Sequence, residues 1–135
     1  MQFIMKQLFT ITLLCLAALT VQSQEQLRIG DIEMLNLGDG RLFAREGRNK
    51  DDKPINGRVR IITGYTTEYI DAGFENGYAD GKWEYYKNNV LSERKNYSKG
   101  YLNGERISYY GDANGKVTTE ETYDNGLLID TKRFR

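Results

Sequence analysis

Apolar and polar positions alternate in short runs along the chain beyond residue 56. Arg58-Val59-Arg60-Ile61-Ile62 and Lys82-Trp83-Glu84-Tyr85-Tyr86 both repeat every second residue. Period two in residues of high β propensity predicts strands. Ile107-Ser108-Tyr109-Tyr110 continues the pattern with one extra residue before it, as a bulge would require, and Lys132-Arg133-Phe134 is a shorter copy. Turns are predicted at Lys87-Asn88-Asn89 and at Gly111-Asp112-Ala113-Asn114-Gly115, where Asn and Gly supply the positive φ of hairpin turns. Return strands follow over 91–97 and 117–123. An earlier hairpin turns near Thr63-Gly64 and returns over 65–74. Before it, runs over 32–37 and 41–44 flank Gly38-Asp39-Gly40 as a further hairpin, and 45–56 reads as loop. No helix signal and no domain boundary interrupt this part of the chain.

The hairpins recur. Gly57, Gly81 and Gly104 open similar segments, and Asp130 opens a partial fourth, at steps of 24, 23 and 26 residues. The copies span 57–80, 81–103, 104–129 and 130–135, with 24–56 as an N-terminal hairpin and loop cap. Gly77, Gly100 and Gly126 each stand four residues before the next opener, and Phe74, Tyr97 and Tyr123 stand three residues before those glycines. A lone hairpin is marginal in water, so repetition implies stacking into a continuous sheet. The predicted fold is all-β: an elongated single-layer antiparallel sheet of stacked hairpins. Its apolar stripe would hold Val59, Ile61, Trp83, Tyr85, Ile107, Tyr109 and Phe134, with Leu91, Tyr97, Val117 and Tyr123 sharing its parity on the return strands. Glu93, Lys95, Thr119 and Glu121 at the strand centres keep that stripe narrow and one face wet.

Residues 1–23 follow a different pattern. Lys6 is the sole charge before Glu25, and it precedes an apolar run of about a dozen residues and then Val21-Gln22-Ser23. That arrangement predicts a cleaved Sec-type signal peptide, with Met1 or Met5 as start, and export to the periplasm, cell surface or medium. The run is too short for a membrane span. Leu13-Leu14 before Cys15 does not suit a lipobox, and cleavage leaves no cysteine for a disulfide.

Composition narrows the chemistry. Without Lys6, 18 basic residues face 19 acidic ones, so no field draws the protein to nucleic acid or anionic lipid. Histidine is absent, which with the missing cysteine excludes the usual triads and zinc sites. Glu93 and Glu121 are the only candidate carboxylate pair, and they read better as strand residues paired with Lys95 or Arg94. Asp112-Ala113-Asn114-Gly115 lacks the ligand series of a calcium loop. No metal, cofactor or catalytic residue is expected. The aromatic residues remain. Trp83 and Tyr85 read as core. Tyr86 and Tyr110 follow Tyr85 and Tyr109, so strand geometry sends them to the second face, where they would align one repeat apart as a binding pair.

Gly81-x-Trp83-x-Tyr85-Tyr86, the Asn-rich turn, Tyr97-x-x-Gly100 and Asn103-Gly104 resemble the MORN repeat in its bacterial variant. The resemblance covers about 57–134 and is strongest over 81–104. It implies β-hairpins stacked into an antiparallel sheet, with Gly57, Gly81, Trp83, Tyr85, Tyr97, Gly100, Gly104, Tyr109, Tyr123 and Gly126 as structural positions. Bacterial chains of this type carry the label YwqK-family antitoxin. An exported chain departs from that label, because it cannot meet a cytosolic toxin. Atypical end copies, without aromatics after Gly57 and with Asp130 for Gly, suit capping repeats.

The resulting expectation is an exported non-enzymatic module that binds another protein in the envelope or outside the cell, in an antitoxin- or immunity-like role. The alternatives are a scaffold self-associating through open sheet edges, and attachment to glycans or lipid head groups through exposed tyrosines. Membrane association would come only through a partner.

Overall fold

The computed structural model describes residues 24–47, 51–111 and 114–135. The expected leader and Cys15 lie outside the described residues, as do Asp112 and Ala113. The described residues are all-β, with one 3-10 turn among them at Ile29–Asp31. Its strands are β1 (Glu25–Arg28), β2 (Ile32–Asn36), β3 (Leu42–Glu46), β4 (Gly57–Ile62), β5 (Tyr69–Glu75), β6 (Tyr78–Ala79), β7 (Gly81–Lys87), β8 (Val90–Ser98), β9 (Tyr101–Tyr109), β10 (Val117–Asp124) and β11 (Leu127–Arg133).

They form one sheet in the order β11-β10-β9-β8-β7-β5-β6-β3-β2, and β4 joins β5 to β1. All pairings are antiparallel except the parallel β1–β4. The expected hairpins β2–β3, β4–β5, β7–β8 and β9–β10 are present. The turn of β4–β5 is longer than expected, since the return strand starts at Tyr69. The sheet curls rather than running on as a flat elongated layer. Strand β1, unforeseen in sequence, adds Leu27 to the core beside β4.

Turn chemistry fixes the hairpins. Asn76-Gly77, Lys99-Gly100, Asn125-Gly126 and Asn88-Asn89 all carry positive φ at both central residues, as type I′ turns demand. Openers Gly57, Gly81 and Gly104 also have positive φ, between 77° and 88°. Each lies directly across from the aromatic residue of its own repeat: Gly57 from Phe74, Gly81 from Tyr97, Gly104 from Tyr123. The spacing seen in sequence is therefore a cross-strand pair, a bare glycine facing a ring.

A second relation ties each hairpin to the next. The amides of Gly77, Gly100 and Gly126 donate to the carbonyls of Ile55, Ala79 and Leu102, at 2.8, 2.8 and 2.7 Å. The amides of Asn76 and Asn125 donate to the side-chain oxygens of Asn56 and Asn103, at 3.2 and 3.0 Å. Phe43 lies against Gly77, Tyr78 against Gly100 and Tyr101 against Gly126. A Cβ at Gly77 would collide with the Phe43 ring. One at Gly100 would lie 2.9 Å from Arg41 Cβ and 3.1 Å from Tyr78 Cδ1.

Directly paired residues share a face, which allows the two faces to be traced strand by strand. The inner face carries Val59 and Ile61 of β4, Ile70, Ala72 and Phe74 of β5, and Trp83 of β7. Ile32, Ala44, Ile55, Ala79 and Tyr97 complete this core. Trp83 has no exposed surface and packs on Phe74 and Tyr97 at centroid distances of 5.0 and 4.9 Å. Its Nε1–H donates to the Gly73 carbonyl at 2.9 Å, which also accepts the Asp80 amide at 2.9 Å.

The expected stripe is corrected at β9. Trp83 pairs with Lys95, and Lys95 with Arg106, so Arg106 occupies the inner position two residues after its opener. Ile107 and Tyr109 face outward: Ile107 pairs with Arg94, which pairs with Glu84. Ile107 is 8% exposed yet stands apart from the core cluster. The extra residue before Ile107 is not a bulge that restores the pattern, because the irregularity in β8–β9 inserts two residues and keeps parity. Phe134 does not fill the stripe either, being 45% exposed.

Candidate functional site

Towards β8, β9 and β10 the inner face turns polar. Glu93 accepts from Arg106 at 2.5 Å and lies 3.7 Å from Lys95 Nζ. Arg106 also approaches Glu121 at 3.7 Å, and Tyr123 donates its hydroxyl proton to Glu121 at 3.1 Å. Lys95 sits over the Tyr85 ring, 4.8 Å from its centroid. Glu93 and Glu121 are thus held by one arginine, with Lys95 as second partner to Glu93. Arg94, the other cation expected to pair with them, lies on the opposite face.

Burial shapes the protonation of this belt. Desolvation lowers the Lys95 pKa, against the opposing pull of Glu93. Desolvation raises Tyr85 and Tyr97, which are hydrogen-bonded to each other. For Arg106, burial pulls the pKa down, but hydrogen bonds to Glu93 and Tyr123 and the charges of Glu93 and Glu121 hold it above the usual value. A belt so fully cross-paired supports the sheet interior and leaves few groups free for a ligand.

The outer face offers more. Tyr69 of β5 stacks on Tyr86 of β7, with centroids 4.8 Å apart and planes 21° apart. Arg60 of β4 lies over Tyr69, 4.1 Å from the centroid, while its guanidinium makes two bonds to Asp71 at 2.8 and 3.0 Å. That paired carboxylate holds the Arg60 pKa above its ordinary value. Tyr86 donates to Glu84 at 3.4 Å. On β8, Arg94 Nη2 donates to the Tyr109 hydroxyl at 3.0 Å, and its buried Nε has no hydrogen-bond partner among the described residues. The strands place a band across the sheet: Arg60, Tyr69, Tyr86, Arg94, Tyr109. Its rings are half-buried, so each is fixed by packing and keeps an open edge.

Of the two residues expected to form the binding pair, Tyr86 lies in this band and Tyr110 does not. Tyr110 follows β9, is 55% exposed and has Lys116 Nζ at 5.8 Å from its ring centroid. Tyr109 takes its place, because the outward turn of Ile107 carries its i+2 neighbour to the same face. Tyr69 and Arg60 were missed; the alternation Arg58-x-Arg60 and Tyr69-x-Asp71 is the signal that could have found them. Trp83 and Tyr97 take the core positions expected of them, and Tyr85, partly buried, packs against that core.

Comparison with family models, curated proteins and solved structures returns no match.

Proposed function

We propose that this chain is an exported, non-enzymatic module of MORN-like hairpins that binds another protein through its outer tyrosine–arginine band. The observation that carries this reading is the composition and rigidity of that band. Tyrosine and arginine are the residues that dominate the energetic centres of protein interfaces. Here they are already stacked or bonded, so binding would order little and lose little entropy. The acidic residues Asp71 and Glu84 stand between Arg60 and Arg94 in one cross-strand row, a mixed pattern better matched to a protein surface than to anionic lipid. The leader-like first 23 residues support a partner in the envelope or outside the cell, where an immunity-like role would be exercised on an exported toxin.

The test is cross-linked capture of tagged protein from its own cell envelope, wild type beside Tyr86→Ala/Tyr109→Ala. One dominant protein captured by the wild type and lost from the variant supports the reading, provided Trp83 fluorescence remains that of a buried indole. Equal capture by both proteins, or recovery of glycan or lipid alone, would overturn it.

A further inference from the structure

Beyond that reading, and on different residues, we propose that the protein forms a two-fold dimer. In it β11 pairs antiparallel with β11 of a second copy, centred on Thr131.

Among the described residues β11 pairs only with β10, and all seven of its residues are exposed. Leu127, Leu128 and Ile129 are 68%, 47% and 59% exposed at one end, and Phe134 is 45% exposed just past the other. Leu127 follows its turn glycine as Tyr78 and Tyr101 follow theirs. Each of those tyrosines lies against the turn glycine of the next hairpin, whereas Leu127 has no such neighbour among the described residues. An edge of this kind is a template for another strand.

The register follows from the backbone. The Phe134 amide donates inward to the Thr118 carbonyl at 2.9 Å. Strand alternation then directs the backbone groups of Lys132 and Asp130 towards β10, and those of Thr131 and Arg133 outward. A two-fold axis at Thr131 makes the two Thr131 residues exchange both of their hydrogen bonds. It also sets Asp130 of each copy opposite Lys132 of the other, twice over, and Arg133 opposite Ile129. The Phe134 end of one copy comes beside Leu127, Leu128 and Ile129 of the other. Neighbouring registers fail. Centring on Asp130, Lys132 or Arg133 would set two aspartates, two lysines or two arginines face to face at the axis, a like-charge pair where Thr131 gives none. Centring on Ile129 falls on the bulge between the Asp130 and Leu128 pairings. Charges of opposite sign placed symmetrically about an outward-bonding residue are what a strand needs to recognise itself, and they repel strands that lack the match.

Light scattering and sedimentation of the purified protein across a concentration series test this. The expected species is a dimer that weakens with added salt. Thr131→Pro removes an amide that β10 does not use, so the fold should persist while dimerisation weakens about tenfold or more. Asp130→Lys and Lys132→Asp should each be monomeric alone, with unchanged circular dichroism. Mixed together they should form a heterodimer, because every facing pair is again of opposite charge. A wild type that stays monomeric at high concentration, open-ended oligomers, unimpaired dimers in Thr131→Pro, or failure of the two charge variants to combine would each overturn the proposal. None of these outcomes depends on the outer band, whose capture assay is read separately.

Discussion

Trp83 joins three neighbours at once: the Phe74 and Tyr97 rings and the Gly73 carbonyl. Trp83→Ala is expected to cost about 3–5 kcal/mol, as for other buried aromatics. Trp83→Phe keeps most of the packing and loses one hydrogen bond. Gly73 retains the Asp80 amide, so the expected cost is nearer 1–2 kcal/mol. Urea unfolding followed by far-ultraviolet circular dichroism measures both. Protonation gives a second prediction at this scale. Tyr85 and Tyr97 have folded pKa values raised above the unfolded value of 10.0. Above that pH the unfolded chain sheds protons that the folded one keeps, so stability falls as pH rises. Lys95 acts the other way: its folded pKa lies below 10.5, so it gains stability as pH climbs from its lowered folded value towards 10.5. Melting temperature should drop above about pH 10, where the two tyrosines oppose one lysine. Tyr85→Phe/Tyr97→Phe should flatten that drop, and an unaltered slope would remove these tyrosines as its cause.

At the scale of the element, the turns decide most. Lys99 occupies a left-handed position, φ 51°, that Asn76 and Asn125 fill in the other linking turns. Asn tolerates that region better, so Lys99→Asn should stabilise by up to about 1 kcal/mol. Gly100→Ala meets both a φ of 89° and the close Arg41 and Tyr78 side chains, and should cost roughly 2 kcal/mol or more. Thermal melts of the two variants should move in opposite directions. Hairpins, turns and the glycine–aromatic spacing were legible in the sequence because each is a local choice of strand pattern and positive φ. The face of β9 was not. Ile107 and Tyr109 look like Trp83 and Tyr85 in composition, but pairing runs Trp83–Lys95–Arg106, and parity is set by the neighbouring strand. A single-residue offset exchanges faces, and that exchange moved the candidate site from Tyr110 to Tyr109. Strand β1 was equally hidden, since its parallel pairing with β4 spans more than thirty residues of sequence.

On the scale of the whole molecule, the period of the sequence is the period of its contacts. Each linking hairpin leans an aromatic ring and a backbone carbonyl on the copy beside it, so the copies are held together by bonds that no isolated hairpin would have. The curl gathers the apolar inner side chains around Trp83 and leaves the tyrosine–arginine band on the outside. Function was less legible than fold, because a repeat pattern specifies a scaffold, and recognition depends on which side chains the scaffold leaves facing solvent. The most direct measurement is hydrogen exchange, by nuclear magnetic resonance, at the amides of Gly77, Gly100 and Gly126. In a two-residue hairpin turn that stands alone these amides face solvent. In the stacked sheet each donates to a carbonyl outside its own turn, that of Ile55, Ala79 or Leu102. Slow exchange at all three is the expected result, and exchange at the rate of an unprotected turn would contradict the stacking on which the whole account rests.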